Sequence, residues 1–351
     1  MTRPASRGLP APCPPASHAP LSPVRRALLG GGLLACAIPA AASSGMRVLR
    51  LSHVVAPNTP KGQALEHFAQ LVERYSQGRI RVQIYPQSTL YGDADEVQAL
   101  QFGAVHFIAP SLSKFGRMGL PEFELFDLPY AFDSLEQVRR VMDGVPGQLL
   151  LERLQRNGVH GLGYLHNGFK HMSAQHALLT PNDYLGLRMR IQPSRVLADQ
   201  MQALGASPVA LSFGETYPAL QRKVVDGTEN TASNFWTQKL QRVQSDLSLT
   251  GHGYLGYAVV TQQRFWENLP NNERALLDQA MRDALQWGNT LALEHERSSL
   301  QALRGTTALR VHTPGAAQTQ ALRRALLPVR QQLAQRIGSV WMDLLTEALH
   351  S

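Results

Sequence analysis

Hydrophobic residues in this chain change their spacing repeatedly, from every second position to every third or fourth and back, and that alternation restricts the fold more than any other feature. Val48-Leu49-Arg50-Leu51 reads as a strand. Thr59-Pro60 then opens a helix with proline in its first turn; Leu65, Phe68, Val72 and Tyr75 recur at helical spacing, and Gly78 ends it. Ile80, Val82 and Ile84 alternate with Arg81 and Gln83, so a strand follows. The rhythm returns as a helix over 96–102, a strand over 105–109, a helical stretch over 135–157 and a strand over 161–165. A second unit starts at Thr180-Pro181-Asn182-Asp183 and gives a strand from Leu187 to Ile191 and a helix from Ser194 to Leu204. Ser212-Phe213-Gly214-Glu215 matches a capping box and opens a further helix. Such alternation predicts α/β layers with mostly parallel strands.

At 351 residues and 44% hydrophobic, the chain has material for two domains. The helical pattern from Glu273 to Arg304 is long for one globular domain and is expected to brace both. The tail from Ala316 is also helical, its basic face being read as solvated surface.

Residues 1–42 follow a different pattern: a proline-rich stretch, Arg25-Arg26, an apolar run from Ala27 to Ile38, then Ala40-Ala41-Ala42. Charge, apolar run and small residues in that order mark a secretory signal peptide, with cleavage expected after Ala42. Arg25-Arg26-Ala27-Leu28-Leu29 also resembles a twin-arginine signal and Leu33-Leu34-Ala35-Cys36 a lipoprotein box, while translation starting near Val24 is a further reading. Export follows from each. Cys13 and Cys36 precede the cut, so the exported domains are expected to hold neither a disulfide nor a thiol nucleophile. Arg3, Arg7, Arg25 and Arg26 supply half of the formal charge of +8. The other Lys and Arg residues are scattered, without the basic stripe interleaved with aromatics that tracks a phosphate backbone, so nucleic acid is not expected as a partner.

Catalytic signatures are missing. The chain contains no G-x-S-x-G elbow, no H-E-x-x-H and no Cys/His cluster at metal spacing. His166 and His171 flank Gly168 and read as a polar loop rather than zinc ligands. Gly161, Gly163 and Gly168 lack the spacing of a dinucleotide turn. Neither cofactor nor metal is expected.

The informative residues are a cation and a carboxamide. Arg190 ends the strand-like run Leu187-Arg188-Met189-Arg190-Ile191, and Val225-Asp226-Gly227-Thr228-Glu229-Asn230 lies downstream. The planar fork of Arg pairs bidentately with carboxylate oxygens while Asn adds a neutral donor, so together they form a carboxylate trap. Lys170, in Asn167-Gly168-Phe169-Lys170, falls near the crossing between domains, where a second cation facing a second carboxylate would select a dicarboxylate. Each residue also has a plainer reading. Arg190 could pair structurally with Asp183 or Glu215, Asn230 could cap a turn, Lys170 could be a solvated surface cation, and Phe213 could be core rather than ligand platform.

Taken in order, further segments resemble the C4-dicarboxylate-binding (DctP-like) branch of the solute-binding proteins of TRAP transporters. They include Ala56-Pro57-Asn58-Thr59-Pro60-Lys61-Gly62, Tyr85-Pro86-Gln87-Ser88, Phe126-Asp127-Leu128-Pro129-Tyr130, Tyr217-Pro218-Ala219-Leu220-Gln221 and His252-Gly253-Tyr254-Leu255-Gly256-Tyr257, besides those around Lys170, Arg190 and Asn230. The match runs from Val48 to Pro270 without large gaps. It implies a two-domain periplasmic-binding-protein-like fold with the cleft between domains: 43–167 plus about 256–295 as domain I, and 168–255 plus about 296–351 as domain II. It implies that Arg190 pairs with the ligand carboxylate, that Asn230 donates to it and that Phe213 packs on its carbon chain. Ser111, Lys61 and Trp236 are further candidate contacts. Lys170 stands where many relatives carry a second Arg, which suits a dicarboxylate, and Thr231 stands where proline is common after Glu-Asn.

The resemblance further implies a periplasmic, non-enzymatic receptor, expected to be monomeric, that closes on succinate, fumarate or malate and passes it to a TRAP membrane permease. The same receptor binding a 2-oxo, aromatic or sugar acid, a secreted enzyme, and a sensor subunit are the alternatives.

Overall fold

A computed structural model describes residues 45–350; the expected signal peptide at 1–42 lies outside them. Among the described residues nine strands run in chain order: β1 (Arg47–Ser52), β2 (Ile80–Tyr85), β3 (Phe107–Ile108), β4 (Val159–Ala174), β5 (Arg188–Ile191), β6 (Ser207–Ala210), β7 (Gly227–Asn230), β8 (Asp246–Gln262) and β9 (Arg310–His312). All belong to one sheet in the order β2-β1-β3-β8-β4-β7-β5-β6, with β9 beside β8.

The flanks are parallel, as the alternation of strand and helix predicts: β1 with β2 and β3, β5 with β6 and β7. The centre is antiparallel, β3 against β8, β8 against β4, and β4 against β7. β4 and β8 pair from Val159 opposite Gln262 to Ala174 opposite Asp246, so both strands thread the two halves of the sheet. β4 continues past Leu165, where the sequence pattern suggests a loop. Three register shifts, at Gly161/Gly163, His166/Gly168 and Lys170/Met172, explain why: each bulge resets the alternation that a strand would show.

The helix Pro60–Tyr75 begins where Thr59 Oγ1 accepts from the Gly62 N–H at 3.1 Å, which sets Lys61 in the first turn facing inward. A Cβ at Gly62 would lie 2.5 Å from the Ala56 carbonyl oxygen, so only glycine lets the preceding loop fold over the helix start. The expected helix over 135–157 is broken into Leu135–Asp143 and Val145–Arg153, because Gly144 ends one turn and Pro146 starts the next.

The long helix spans Asn271–Arg304 and packs on the helix Pro60–Tyr75, on β4 and on the helix Ala232–Thr237. It therefore touches elements from both ends of the sheet. One apolar core lies between this helix, the helix Pro60–Tyr75 and the β1–β2 flank, with Phe68, Phe107 and Met281 inside. A larger one joins Phe115, Phe126 and Val138 to Met189, Leu197 and Leu326. A third surrounds Leu220, Phe235 and Leu303. Among the described residues no helix is long and apolar enough to cross a membrane.

Gly288 sets the closest approach of the long helix to its neighbour, since a Cβ there would meet the Ala64 Cβ at 2.5 Å. In Gly288→Ala the gain in helix propensity is about 1 kcal/mol, whereas overpacking two rigid backbones costs roughly 1–3 kcal/mol. We expect net destabilisation, read as a lower urea midpoint with an unchanged m-value; a higher midpoint would refute it.

Candidate functional site

Where the two halves meet, one small cleft gathers Arg190, Asn230, Phe213, Ser111 and Lys61, five of the seven candidates named from the sequence. Its free volume is about 20 Å³, room for roughly one water molecule. Arg190 reaches it from β5 and is 1% exposed. Its Nε and Nη2 both donate to the Leu211 carbonyl, at 3.1 and 2.8 Å, which orients the fork. Neither Asp183 nor Glu215 pairs with it: Asp183 caps the turn at Thr180, and Glu215 accepts from Ser212. Burial lowers the guanidinium pKa from its ordinary value, partly offset by the more distant Glu229, Asp93 and Glu215.

Asn230 ends β7, and its amide orientation is fixed by its neighbours. Oδ1 accepts from the Thr231 N–H and from Asn234 Nδ2, each at 3.0 Å. A backbone N–H can only donate, so the other end of the carboxamide is the NH2, a donor left for the cleft. Asn234 also lines the cleft, joined through the Tyr257 hydroxyl to Asn167, whose Oδ1 accepts from Thr231 Oγ1 at 2.6 Å. Thr231 thus serves as the N-cap of the helix Ala232–Thr237.

Lys61 enters from the opposite half. Its Nζ donates to the Ala109 carbonyl at 2.9 Å and sits 3.8 Å from the centre of the Tyr257 ring. Burial takes its pKa down to about 7, further lowered by Lys114 and opposed by Glu96 and Asp93. Ser111 Oγ is buried without a hydrogen-bond partner. Phe213 packs with Val54 and Val55 as an apolar wall, and its N–H donates to Asp93 Oδ2 at 2.5 Å, a bond across the cleft. Lys114, missed from the sequence, also lines the cleft but is neutralised by Asp93 and Glu96.

Lys170 is placed elsewhere. Its Nζ is fully buried, 2.8 Å from Glu229 Oε2 and 3.5 Å from Asp127 Oδ1, and it does not line the cleft. Burial alone would raise the Glu229 carboxyl, but Lys170 and His252 hold it at about 2. The expected role as second-carboxylate partner therefore finds no support: two carboxylates of the protein already occupy this cation. Trp236 is 37% exposed on the helix Ala232–Thr237 and stands outside the cleft. A larger concavity between the helix Leu135–Asp143 and the long helix, about 690 Å³, takes its Lys/Arg charge from Arg139 and Arg282 alone, both exposed. Among the described residues no His/Cys/Asp/Glu cluster could hold a metal.

The family model described as DctP, bacterial extracellular solute-binding protein, family 7, matches residues 51–336. The chain is 45% identical over 313 residues to the C4-dicarboxylate-binding periplasmic protein DctP of Rhodobacter capsulatus, covering 89% of this chain and 94% of that one. A TRAP periplasmic solute-binding protein from Shewanella oneidensis, solved with bound succinate, superposes with a TM-score of 0.85 at 38% identity, covering 87% of this chain and 100% of that one. Its counterpart from Pseudomonas aeruginosa PAO1, solved with bound L-malate, gives 0.79 at 37% identity, with 82% and 99% covered.

Two measurements separate the roles of the lysines. Lys170→Met leaves Glu229 and Asp127 buried without their cation and is expected to cost roughly 3–5 kcal/mol of folding stability by denaturant titration. A loss below 1 kcal/mol would show that the ion cluster is not structural. For Lys61, both folded and unfolded states hold the proton below about pH 7, so the penalty of burying the charge is fully present there. As pH rises from about 7 toward 10.5 the folded state releases a proton that the unfolded state retains, and stability rises. Compared with Lys61→Met, the wild type should gain stability over that window; a pH-independent difference would contradict the assignment.

Proposed function

The chain belongs to the DctP family of bacterial extracellular solute-binding proteins, a family of periplasmic receptors with two-domain folds, and we propose that it is the C4-dicarboxylate receptor of a TRAP-type transporter. The observation that carries the reading is Arg190, a buried guanidinium held by a carbonyl and by no carboxylate among the described residues, beside the Asn230 amide. One ligand carboxylate takes the Arg190 fork and the Asn230 NH2. The distal carboxylate takes Lys61 Nζ and the Ser111 hydroxyl, replacing the water that buried polar groups otherwise lack. Phe213, Val54 and Val55 wall the short carbon chain.

Capture is by closure. We place the pivot at the β4 bulge between His166 and Gly168, opposite Gly256 and Leu255, which divides domain I (43–167 plus about 256–295) from domain II (168–255 plus about 296–351). The first 42 residues act as the cleavable export signal. The receptor works as a monomer, performs no chemical step and hands its ligand to the membrane permease. Relatives named C4-dicarboxylate-binding and solved complexes with succinate and L-malate, at 37–45% identity, support this choice over a sugar acid.

A thermal-shift screen of refolded protein tests the reading. Ligand that binds only the folded state at about 100 times Kd adds about 2.7 kcal/mol, so succinate, fumarate or malate should raise Tm while acetate does not. A rise only with sugar acids or monocarboxylates would sink the dicarboxylate reading, and conversion of the ligand on long incubation would sink the receptor reading. Arg190→Lys should weaken binding roughly 30-fold or more, since truncating a buried charged hydrogen-bond partner costs about 2–5 kcal/mol; unchanged affinity in calorimetry would remove Arg190 as the anchor.

A further inference from the structure

The groups that hold the two cleft asparagines lead away from the cleft to the long helix. Glu296, on that helix, accepts from the Ala232 N–H through Oε1 at 3.0 Å and from the Ser233 N–H through Oε2 at 2.8 Å. These amides open the helix Ala232–Thr237, whose third residue, Asn234, donates to Asn230 Oδ1. On its other side Glu296 packs against Gly168 in the β4 bulge, where a Cβ would come within 3.0 Å of the Glu296 Cδ. The carboxylate therefore touches both the turn that shapes the cleft and the site where the halves of the sheet join.

We propose that Glu296 is a positioning residue for ligand binding: from outside the cleft it fixes the Thr231–Asn234 turn, and through Asn234, which donates to Asn230 Oδ1, the Asn230 NH2 that meets the ligand carboxylate. The inference rests on the receptor reading. Its geometry is matched one to one, two carboxylate oxygens to two N–H groups, and a glutamine could satisfy only one of them. Burial pushes the carboxyl up to about 7, against the two amides that favour its charged form, so the side chain is held where solvation alone would not place it.

The test combines amide hydrogen exchange of the ligand-free protein with succinate calorimetry, for the wild type, Glu296→Ala, Glu296→Gln and, as control, Glu294→Ala at an exposed position of the same helix. Glu296→Ala is expected to accelerate exchange at Ala232 and Ser233 and to weaken succinate binding, each about tenfold or more, as loss of hydrogen bonds to a charged group implies. Glu296→Gln should fall between, a graded rescue that a purely structural side chain would not give, and Glu294→Ala should match the wild type. If Glu296→Ala does not fold, Glu296→Gln carries both readouts. Faster exchange with unchanged affinity would reduce Glu296 to a structural cap and overturn the proposal, as would unchanged exchange. Absence of succinate binding by the wild type would overturn the receptor reading and this role with it, whereas equal binding by wild type and Glu296→Ala overturns this role alone.

Discussion

The antiparallel pairing of β4 with β8 is the constraint on which the rest of the molecule depends. Two strands of 16 and 17 residues run side by side through the middle of the sheet, and each half of the protein is built outward from one end of them. Near Gln262 they carry β3 and the β1–β2 flank; near Asp246 they carry β9 and β7 with the β5–β6 flank. Asn230 is positioned through its pairing with His171, and Tyr257 lies opposite Leu165. Because continuous hydrogen-bonded strands join the halves, the described residues fall within one compact unit, and the largest of its cores draws on both halves.

That central pair is also the part least legible in the sequence, for a physical reason. Elements whose signals are local were readable: Thr59 and Ser194 cap the helices they precede, and Thr180 with Asp183 forms a capping box. β4 and β8 are stabilised by pairing with residues far away in the chain. Their bulges and glycines, among them Gly168, Gly253 and Gly256, erase the period-two signature and imitate a turn. The site divides the same way. Arg190 and Asn230 carry carboxylate chemistry in their residue types, so they could be named in advance. Lys170 does too, but its partners Glu229 and Asp127 come from distant elements, and no spacing rule announces that a cation is already paired. Lys114 and Asp93 were missed because the strand-like and helical patterns pass them by.

Buried cations in this protein consequently fall into two kinds. Lys170 and Lys114 are each flanked by two carboxylates and serve the fold. Arg190 and Lys61 are buried against backbone carbonyls, which orient them without cancelling their charge. Uncancelled charge in a poorly hydrated cleft is unfavourable for the protein alone and becomes favourable only with an anion. Selectivity for anions is thus an outcome of which cations the fold leaves unmatched, rather than of how many it contains.

The bond that spans the cleft has a kinetic consequence. If ligand enters only when the Asp93–Phe213 contact parts, binding is coupled to that opening. Capture would then proceed in two stages, an opening whose rate belongs to the protein and an encounter whose rate belongs to the solution. At low solute the second would limit binding; at high solute the observed rate would level off at the first, and the protein would turn from a detector of concentration into a clock.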